Sequence, residues 1–290
     1  VSLAGKGPSL QALQPRASVA LRLADLWRMR LSFGVYNQRV ITISNEDDIT
    51  SLFEAWTSIP DPLRPEESHH YVLGLEGLLT DDLSMDLQAY YKHYPSLVLY
   101  NREKYFPEDP DYINGKGKAY GAELLARFGS SLLDVYASYS IGWTQVTTGG
   151  FTYAPRYDRR HSVNALGVLH PLANLDVAIR WEFGSGYPFT QTIGYYDRLL
   201  LSGLGSGPWY GETGLPYSIL GEKNAARLPD YYRLDASVTY HFTVEPLRGS
   251  IGLNLANFTN RKNILFYDRK TGQKVYMLEF FPSATLRVEY

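Results

Sequence analysis

Hydrophobic and polar residues alternate strictly along several stretches of the chain. Between positions 27 and 36, the odd-numbered residues Trp27, Met29, Leu31, Phe33 and Val35 are apolar, whereas the residues between them are mostly polar or small. The same alternation recurs in LSMDLQAYYK, LLDVYASYSIGW, NLDVAIRWEF and RLDASVTYHF. A period of two residues is that of an extended strand and not of a helix. The pattern therefore predicts strands whose two faces meet different solvents.

About eleven segments of this kind are predicted. Their approximate bounds are 16–25, 27–41, 69–79, 83–100, 118–128, 131–146, 161–170, 174–191, 232–242, 249–258 and 283–290. Many of them reach the ~9–11 residues with which a tilted strand crosses a bilayer, whereas strands of globular sheets usually have ~5–6 residues. The lengths predict an all-β fold of antiparallel, membrane-spanning strands.

The connections between these segments alternate between two kinds. Tight turns are predicted near 24–26, 80–82, 128–131, 170–174 and 243–249, and long polar loops near 42–68, 101–117, 147–160, 192–231 and 259–282. Soluble β-sandwiches have loops at both ends, whereas outer-membrane barrels have short periplasmic turns and long external loops. The segregation favours a transmembrane β-barrel.

The strand count also predicts how much of a barrel the chain contains. If the last strand runs toward the periplasm, the first of eleven antiparallel strands runs the same way, and the chain begins outside the cell. Bacterial barrels with both termini in the periplasm have an even number of strands. We therefore expect residues 1–290 to be the C-terminal portion of a larger barrel whose early strands lie elsewhere.

Composition narrows the class of protein further. The net charge of −2 gives no basic field for nucleic acid, and a mean hydropathy of −0.25 excludes a bundle of membrane-spanning helices. There are 24 Tyr, 12 Phe and 5 Trp, as expected where amphipathic rings sit at a membrane–water interface. Cysteine is absent, so the chain has no disulfide or thiolate metal site.

Several longer motifs resemble those of one family. In chain order they are KAYGAELLARF, DRRHSVNALG, FGSGYPFTQ, ARLPDYYRLDASVTYHF, IGLNLANFTNRKN and the closing FPSATLRVEY. Together they resemble the C-terminal barrel of a TonB-dependent outer-membrane receptor. The resemblance implies a 22-stranded barrel, an N-terminal plug domain inside it, a coupling peptide that contacts the inner-membrane TonB complex, and uptake of a scarce nutrient. The plug domain and the coupling peptide have no counterpart in the sequence.

The C-terminal strand carries a pattern that the resemblance links to barrel assembly. The apolar and aromatic residues Leu286, Val288 and Tyr290 alternate with polar residues up to position 290. This pattern resembles the last strand by which the barrel-assembly machinery recognises proteins of this family. The alternative is that Tyr290 simply joins an aromatic girdle at the periplasmic interface.

Charged residues on the polar parity are predicted to face the lumen. They are Arg28, Arg30, Asp86, Glu123, Asp134, Arg180, Glu182, Arg233 and Asp235. One interpretation is a polar wall that contacts the plug and lines a path. The other is a set of cross-strand ion pairs that stiffen the barrel, since opposite charges on neighbouring strands stabilise a ladder.

Aromatic and basic residues in the long loops are candidates for ligand contact. The aromatic ones are Trp56, Tyr195, Tyr196, Trp209 and Tyr210, and the basic ones are Arg156, Arg159 and Arg160. The aromatic rings suit stacking on a sugar or aromatic ligand, or alternatively loop packing and contact with a surface lipoprotein. The arginines suit an anionic ligand or a lipopolysaccharide phosphate, or alternatively ion pairs with Asp158.

Catalytic and metal chemistry find little support. His69 and His70 stand beside Glu66 and Glu67 but lack metal-ligand spacing, and no motif places a Ser, a His and a carboxylate together. We expect no cofactor, no metal and no enzymatic activity. The predicted function is energy-coupled uptake of a siderophore, oligosaccharide, peptide or cobalamin-like ligand in the outer membrane. A passive channel or adhesin barrel, and a water-soluble β protein, are the alternatives.

Overall fold

The computed structural model describes residues 13–43, 55–102, 104, 106–198, 215–269 and 271–290. Every regular element in these ranges is a β-strand. No helix in the described part of the chain is long and apolar enough to cross a membrane.

The described residues form twenty strands. They are β1 Arg16–Ala24, β2 Trp27–Gln38, β3 Val40–Ile43, β4 Ala55–Ser58, β5 Glu66–Thr80, β6 Leu83–Tyr100, β7 Tyr112–Gly129, β8 Leu133–Thr148, β9 Phe151–Tyr153, β10 His161–Leu172, β11 Leu175–Gly184, β12 Pro188–Phe189, β13 Thr192–Arg198, β14 Leu215–Leu220, β15 Ala226–Arg227, β16 Tyr231–Val244, β17 Leu247–Ala256, β18 Ile264–Tyr267, β19 Lys274–Tyr276 and β20 Phe281–Glu289.

Eleven of these strands form one antiparallel meander. Its order is β1-β2-β5-β6-β7-β8-β10-β11-β16-β17-β20, and β9 adds a short extension to β8. Each of the eleven predicted segments corresponds to one strand of this path, so the all-β, antiparallel fold is confirmed. Within the described residues the two outermost strands, β1 and β20, do not pair with each other.

Two predicted segments run past the ends of their strands by three residues or more. The segment predicted at 174–191 corresponds to β11, which ends at Gly184, and the segment predicted at 27–41 corresponds to β2, which ends at Gln38. Beyond Gly184 the backbone leaves the ladder, and the amide of Gly186 donates a hydrogen bond to the Asp230 carboxylate at 3.1 Å. These residues belong to the loops because their backbone groups find partners there.

Cross-strand register sorts the residues of the sheet into two faces. Val19, Leu31, Leu73 and Ala89 lie side by side on four successive strands, which makes one apolar row. The side chains of this face are not covered: Leu31 is 46% exposed, Leu73 is 45% exposed and Ile251 is 54% exposed. No second layer of the described chain packs on them, so this face is not the core of the described residues.

The opposite face carries polar and small residues. Arg28 lies opposite Glu76, Gln88 opposite Glu123, and Arg180 opposite Asp235. Tyr90 lies in register with Gly121, which itself pairs with Gly142. A Cβ atom at Gly142 would lie 2.7 Å from the Tyr90 hydroxyl. The glycine therefore gives the tyrosine ring room to lie flat along this face.

The two ends of the sheet differ as the sequence predicts. At one end only two or three residues separate paired strands, as between β1 and β2 or between β7 and β8. At the other end the connections contain small two-stranded pairs of their own, namely β3 with β4, β12 with β15, β13 with β14, and β18 with β19. The elaborated end therefore holds the structured loops, and we refer to it as the loop end.

Candidate functional site

A cavity opens among three loops at the loop end. Its volume is 480 Å³, and its lining comes from the loops that follow β9, β11 and β17. The side chains that define its chemistry are Arg156, Tyr187, Phe189, Tyr195, Tyr267 and Arg269. These four aromatic rings, together with that of Phe266, and the two guanidinium groups give a wall that suits a partly aromatic, anionic ligand, and the lining also contains the Asp268 carboxylate.

Direct contacts between two of these loops shape one side of the cavity. The Tyr195 hydroxyl on β13 donates a hydrogen bond of 2.6 Å to the carbonyl oxygen of Arg269. The rings of Phe189 and Tyr267 stack with centroids 5.6 Å apart and an interplanar angle of 21°. The β13–β14 pair is thereby joined to the loop that carries β18 and β19.

A tight turn presents Arg269 to the cavity. The Asp268 carboxylate accepts hydrogen bonds from the backbone amide of Thr271 at 2.8 Å and from its hydroxyl at 2.9 Å. Gly272 closes the turn with a φ of 69°, a left-handed conformation that glycine adopts without strain. The Asp268 carboxylate is therefore held by the turn, and the positive charge of Arg269 stands beside it at the lining.

A buried carboxylate anchors the loop that carries Arg156. Asp158 is only 2% exposed, and it accepts a hydrogen bond of 2.7 Å from the backbone amide of Thr144 on β8. Its second oxygen pairs with Arg227 on β15 at 2.5 Å and with Arg160 at 3.7 Å. The Arg227 guanidinium also donates to the carbonyl oxygens of Asp158 and Gly186, both at 3.0 Å. Asp158 thus joins two loops to the sheet beneath them.

Arg159 lies between aromatic rings under the same loops. Its guanidinium carbon is 4.1 Å from the centre of the Tyr187 ring and 5.6 Å from that of Tyr231. A Cβ atom at Gly184 would lie 2.4 Å from this guanidinium, so the glycine leaves the space that the arginine fills. The charge of Arg159 is stabilised by ring faces, which is a cation–π arrangement.

Two buried asparagines complete the framework of the loops. Asn224 is 6% exposed, interacts with the Thr190 hydroxyl, and donates from its side chain to the carbonyl oxygen of Ala154 at 2.9 Å. Asn257 is 1% exposed, and its side chain donates to the carbonyl oxygens of Arg261 and Leu278. Both residues have positive φ, which asparagine tolerates better than most side chains.

The structure brings together some of the predicted ligand residues and separates others. Arg156 and Tyr195 line the same cavity, and Arg159 and Arg160 lie in the loop beneath it. Tyr196 follows Tyr195 on β13 and is 47% exposed but does not line the cavity. Trp56 is 62% exposed and lines a separate pocket of 170 Å³. Trp209 and Tyr210 lie outside the described residues, and the ligand role of all these residues stays a prediction.

The predicted lumen residues form a charged band across the polar face. Glu76 contacts Arg28 at 3.3 Å and Arg30 at 3.0 Å across two strands. Along single strands, Arg180 contacts Glu182 and Arg233 contacts Asp235 at 2.7 Å. Asp86 accepts a hydrogen bond from Gln88 at 3.3 Å and borders a groove that Glu123 also lines.

A second polar chain crosses this face near the short turns. His170 contacts Asp134 at 3.2 Å and Asp176 at 2.7 Å, and His241 contacts the other oxygen of Asp176 at 2.9 Å. Ion pairs within the wall and a surface for a plug are both compatible with these contacts, so the role of the charged face stays a prediction.

The predicted assembly residues lie on the last strand and just after it. Leu286 and Val288 pair in register with Ile251 and Gly249 and are 67% and 52% exposed on the apolar face. Tyr290 follows the end of β20 and is fully exposed. Recognition by the assembly machinery stays a prediction.

Sequence reasoning missed the residues that hold the loops in place. Arg227, Asn224 and Asn257 were not singled out, because each finds its partners only through the fold; Arg227 and Asp158 are 69 residues apart. The only local signals for these residues are the asparagines in GEKNAARLPD and IGLNLANFTN, because asparagine favours turns.

The family comparison assigns the chain. A family model described as TonB dependent receptor-like, beta-barrel matches residues 4–258. The chain therefore belongs to this family of outer-membrane β-barrel proteins of Gram-negative bacteria. No curated protein matches the chain.

Solved structures show the same barrel fold. FpvA of Pseudomonas aeruginosa, in complex with a heterologous pyoverdine and iron, superposes with a TM-score of 0.62 and 14% identity over 95% of this chain and 32% of its own. The ferric citrate transporter FecA superposes with a TM-score of 0.61 and 14% identity, over 95% of this chain and 37% of its own. The ferric-catecholate import receptor Fiu of E. coli K12 superposes with a TM-score of 0.56 and 13% identity, over 94% of this chain and 34% of its own. The chain thus spans about a third of the length of these receptors.

The buried Asp158–Arg227 pair generates a prediction about loop order. Arg227→Met removes the main cationic partner of a carboxylate that water does not reach, and breaking such a pair costs about 3–5 kcal/mol. We expect faster hydrogen exchange at residues 154–160 and 186–190 and faster proteolysis there, with the sheet unchanged. Arg64→Met is the control, because its exposed side chain forms no ion pair with the described residues. Equal exchange in both variants would contradict the anchoring role.

Proposed function

We propose that this chain is the C-terminal barrel portion of a TonB-dependent receptor that takes up an anionic ferric chelate of the siderophore class. The cavity of 480 Å³ at the loop end, with its aromatic rings and two arginines, is the observation that carries this proposal. A cavity of this size lies within the ~300–1,000 Å³ range of small-molecule sites. Ferric siderophores commonly present carboxylate, hydroxamate or catecholate oxygens, which guanidinium groups bind well.

The neighbouring structures agree with this ligand class. The ligands and substrates of these proteins are ferripyoverdine, ferric citrate and ferric catecholates. At 13–14% identity they show only the fold, so the ligand class rests on the lining of the cavity itself. Oligosaccharides, peptides and cobalamin-like ligands remain the other classes within the proposal.

The rest of the proposed receptor follows from the two faces and the edges of the sheet. The apolar face meets lipid, and the charged face meets a plug domain. The outer edges of β1 and β20 pair with strands of the remaining barrel, which gives about 22 strands in total. The coverage of 32–37% of the neighbouring chains supports this division. Energy reaches the plug through contact with the TonB complex, and folding in the outer membrane uses the barrel-assembly machinery. The proposed role is transport and requires no enzymatic chemistry from this chain.

Cavity variants test the binding site. We expect Arg156→Ala to weaken binding of a ferric siderophore by about tenfold or more, since losing a charge-assisted hydrogen bond costs about 1.5–3 kcal/mol. Tyr195→Ala should also weaken binding, because it removes an aromatic wall and the hydrogen bond to the Arg269 carbonyl oxygen that joins the two loops. A panel of ferric chelates, titrated by fluorescence quenching against the purified intact receptor, measures the change. Tyr276→Ala is the control, because this tyrosine lies on the neighbouring β19 and does not line the cavity. Unchanged affinity in both cavity variants would place the site elsewhere.

Energy coupling separates the proposal from a passive channel or adhesin. Cells that carry the intact receptor should accumulate the iron-labelled chelate, and collapse of the proton gradient by a protonophore should stop accumulation while surface binding persists. Uptake that continues after collapse would favour the passive channel, and binding with no uptake in energised cells would favour an adhesin.

A further inference from the structure

A second, smaller pocket lies at the loop end. Its polar and aromatic lining includes Trp56, Glu66, Tyr100, Tyr112 and Lys223, and we refer to it as the small pocket. Its volume is 170 Å³, which is below the ~300 Å³ at which sites for drug-sized ligands usually begin and gives room for about six water molecules. The small pocket therefore suits a ligand much smaller than a ferric chelate.

A half-buried carboxylate lies in the lining of the small pocket. Glu66 begins β5, before the predicted spanning segment 69–79, and one of its oxygens accepts a hydrogen bond of 3.1 Å from the Val98 backbone amide. Burial raises the pKa of Glu66, and the hydrogen bond from Val98 offsets only part of this rise. No lysine or arginine of the described residues forms an ion pair with Glu66. A cation supplied by a ligand would neutralise this carboxylate.

Three aromatic side chains line the small pocket together with Glu66. Trp56 on β4 is 62% exposed, so one side of its indole is open to a ligand. Tyr100 and Tyr112 pair in register where β6 ends and β7 begins, with ring centroids 6.2 Å apart and an interplanar angle of 84°. Ring faces attract a cation that lies within about 6 Å of their centre. A carboxylate and three rings in one lining favour an ammonium group as the ligand.

The lining of the small pocket also has an apolar part and a positive charge. Ile41 and Val98 are 6% and 9% exposed, and they give the pocket an apolar floor. Lys223 reaches the pocket from the loop that follows β14, and its ammonium nitrogen lies 4.4 Å from the centre of the Tyr153 ring. Because Lys223 and Glu66 form no ion pair with each other, the two charges lie at separate points of the lining.

We propose that the small pocket binds a single α-amino acid with an apolar side chain, in its zwitterionic form. Glu66 accepts hydrogen bonds from the ammonium group of the ligand, and the aromatic rings add cation–π stabilisation. Lys223 donates to the ligand carboxylate, and the ligand side chain packs on Ile41 and Val98. A pyranose sugar would also stack on the rings, but it has no charge and would leave Glu66 without a cation. The site is distinct from the loop cavity and does not rest on the proposed ferric chelate.

Ligand-observed NMR titrations of the purified intact receptor in detergent micelles test the site. The probes are L-valine, L-leucine and L-phenylalanine, each beside its N-acetyl form, which lacks the ammonium group, and its amide, which lacks the carboxylate. We expect at least one of the amino acids to bind, and its N-acetyl form and amide each to bind about tenfold or more weakly, since each loses a charge-assisted contact. Absence of binding by all three amino acids would overturn the proposal, as would equal binding of the N-acetyl form or of the amide.

Protein variants locate the binding within the small pocket. Glu66→Gln keeps an acceptor for the Val98 amide but removes the charge. It should weaken binding of the amino acid by about tenfold or more and leave the already weak binding of the N-acetyl form within twofold. Lys223→Met should likewise weaken binding of the amino acid but not that of its amide.

Glu67→Gln is the matched control. Glu67 is the next residue of β5, points to the opposite face of the strand, and contacts His69 without lining the small pocket. This variant should bind the amino acid as the unaltered protein does. Binding by Glu66→Gln within twofold of the unaltered protein, or an equal loss in Glu67→Gln, would overturn the proposal. None of these titrations contains a ferric chelate, so they do not decide the transport proposal.

Discussion

Hydrogen bonding of the backbone in a medium without water is the constraint on which this structure depends. Hydrocarbon offers no partner to an amide or a carbonyl group, so a membrane-crossing strand must satisfy both through its neighbours. The continuous antiparallel ladder from β1 to β20 meets this requirement inside the chain. At the two outer edges, β1 and β20, the same requirement calls for partners, which is why we propose that the chain is part of a larger closed wall. Side-chain alternation then follows, because each strand has lipid on one face and water on the other.

The loops use a different kind of stabilisation from the sheet. Fully buried large hydrophobic residues are scarce in the described chain, and Ile41, Val98, Val146 and Tyr153 are among the few. Buried polar groups take their place: Asp158 and Asn224 each hold groups from two loops, and Asn257 joins two parts of the loop that follows β17. Because hydrogen bonds are directional, such anchors fix the geometry of a loop more closely than apolar packing does. These contacts determine the shape of the cavity between the loops.

The sequence was most informative where a local rule governs the structure. Period-two alternation located all eleven strands of the main sheet, since the two solvents act on every residue of a strand. The short pairs at the loop end, such as Pro188–Phe189 with Ala226–Arg227, escaped prediction because two or three residues carry no periodicity. The meeting of Arg156, Tyr195 and Arg269 in one cavity was equally hidden, since contacts between distant loops depend on the topology. The sequence did single out Arg156 and Tyr195, because Arg156 belongs to a compact basic group and Tyr195 to a pair of aromatic residues in a long loop.

The division of each strand into a lipid face and a water face is the central claim, and single-cysteine labelling tests it most directly. The chain has no cysteine, so each position from 175 to 184 on β11 can carry one spin label in the membrane-inserted receptor. The account predicts that labels at 177, 179, 181 and 183 are relaxed by oxygen from the lipid phase, and labels at 176, 178, 180 and 182 by a water-soluble nickel complex. Equal accessibility of odd and even positions, or access of the nickel complex to both faces, would contradict it.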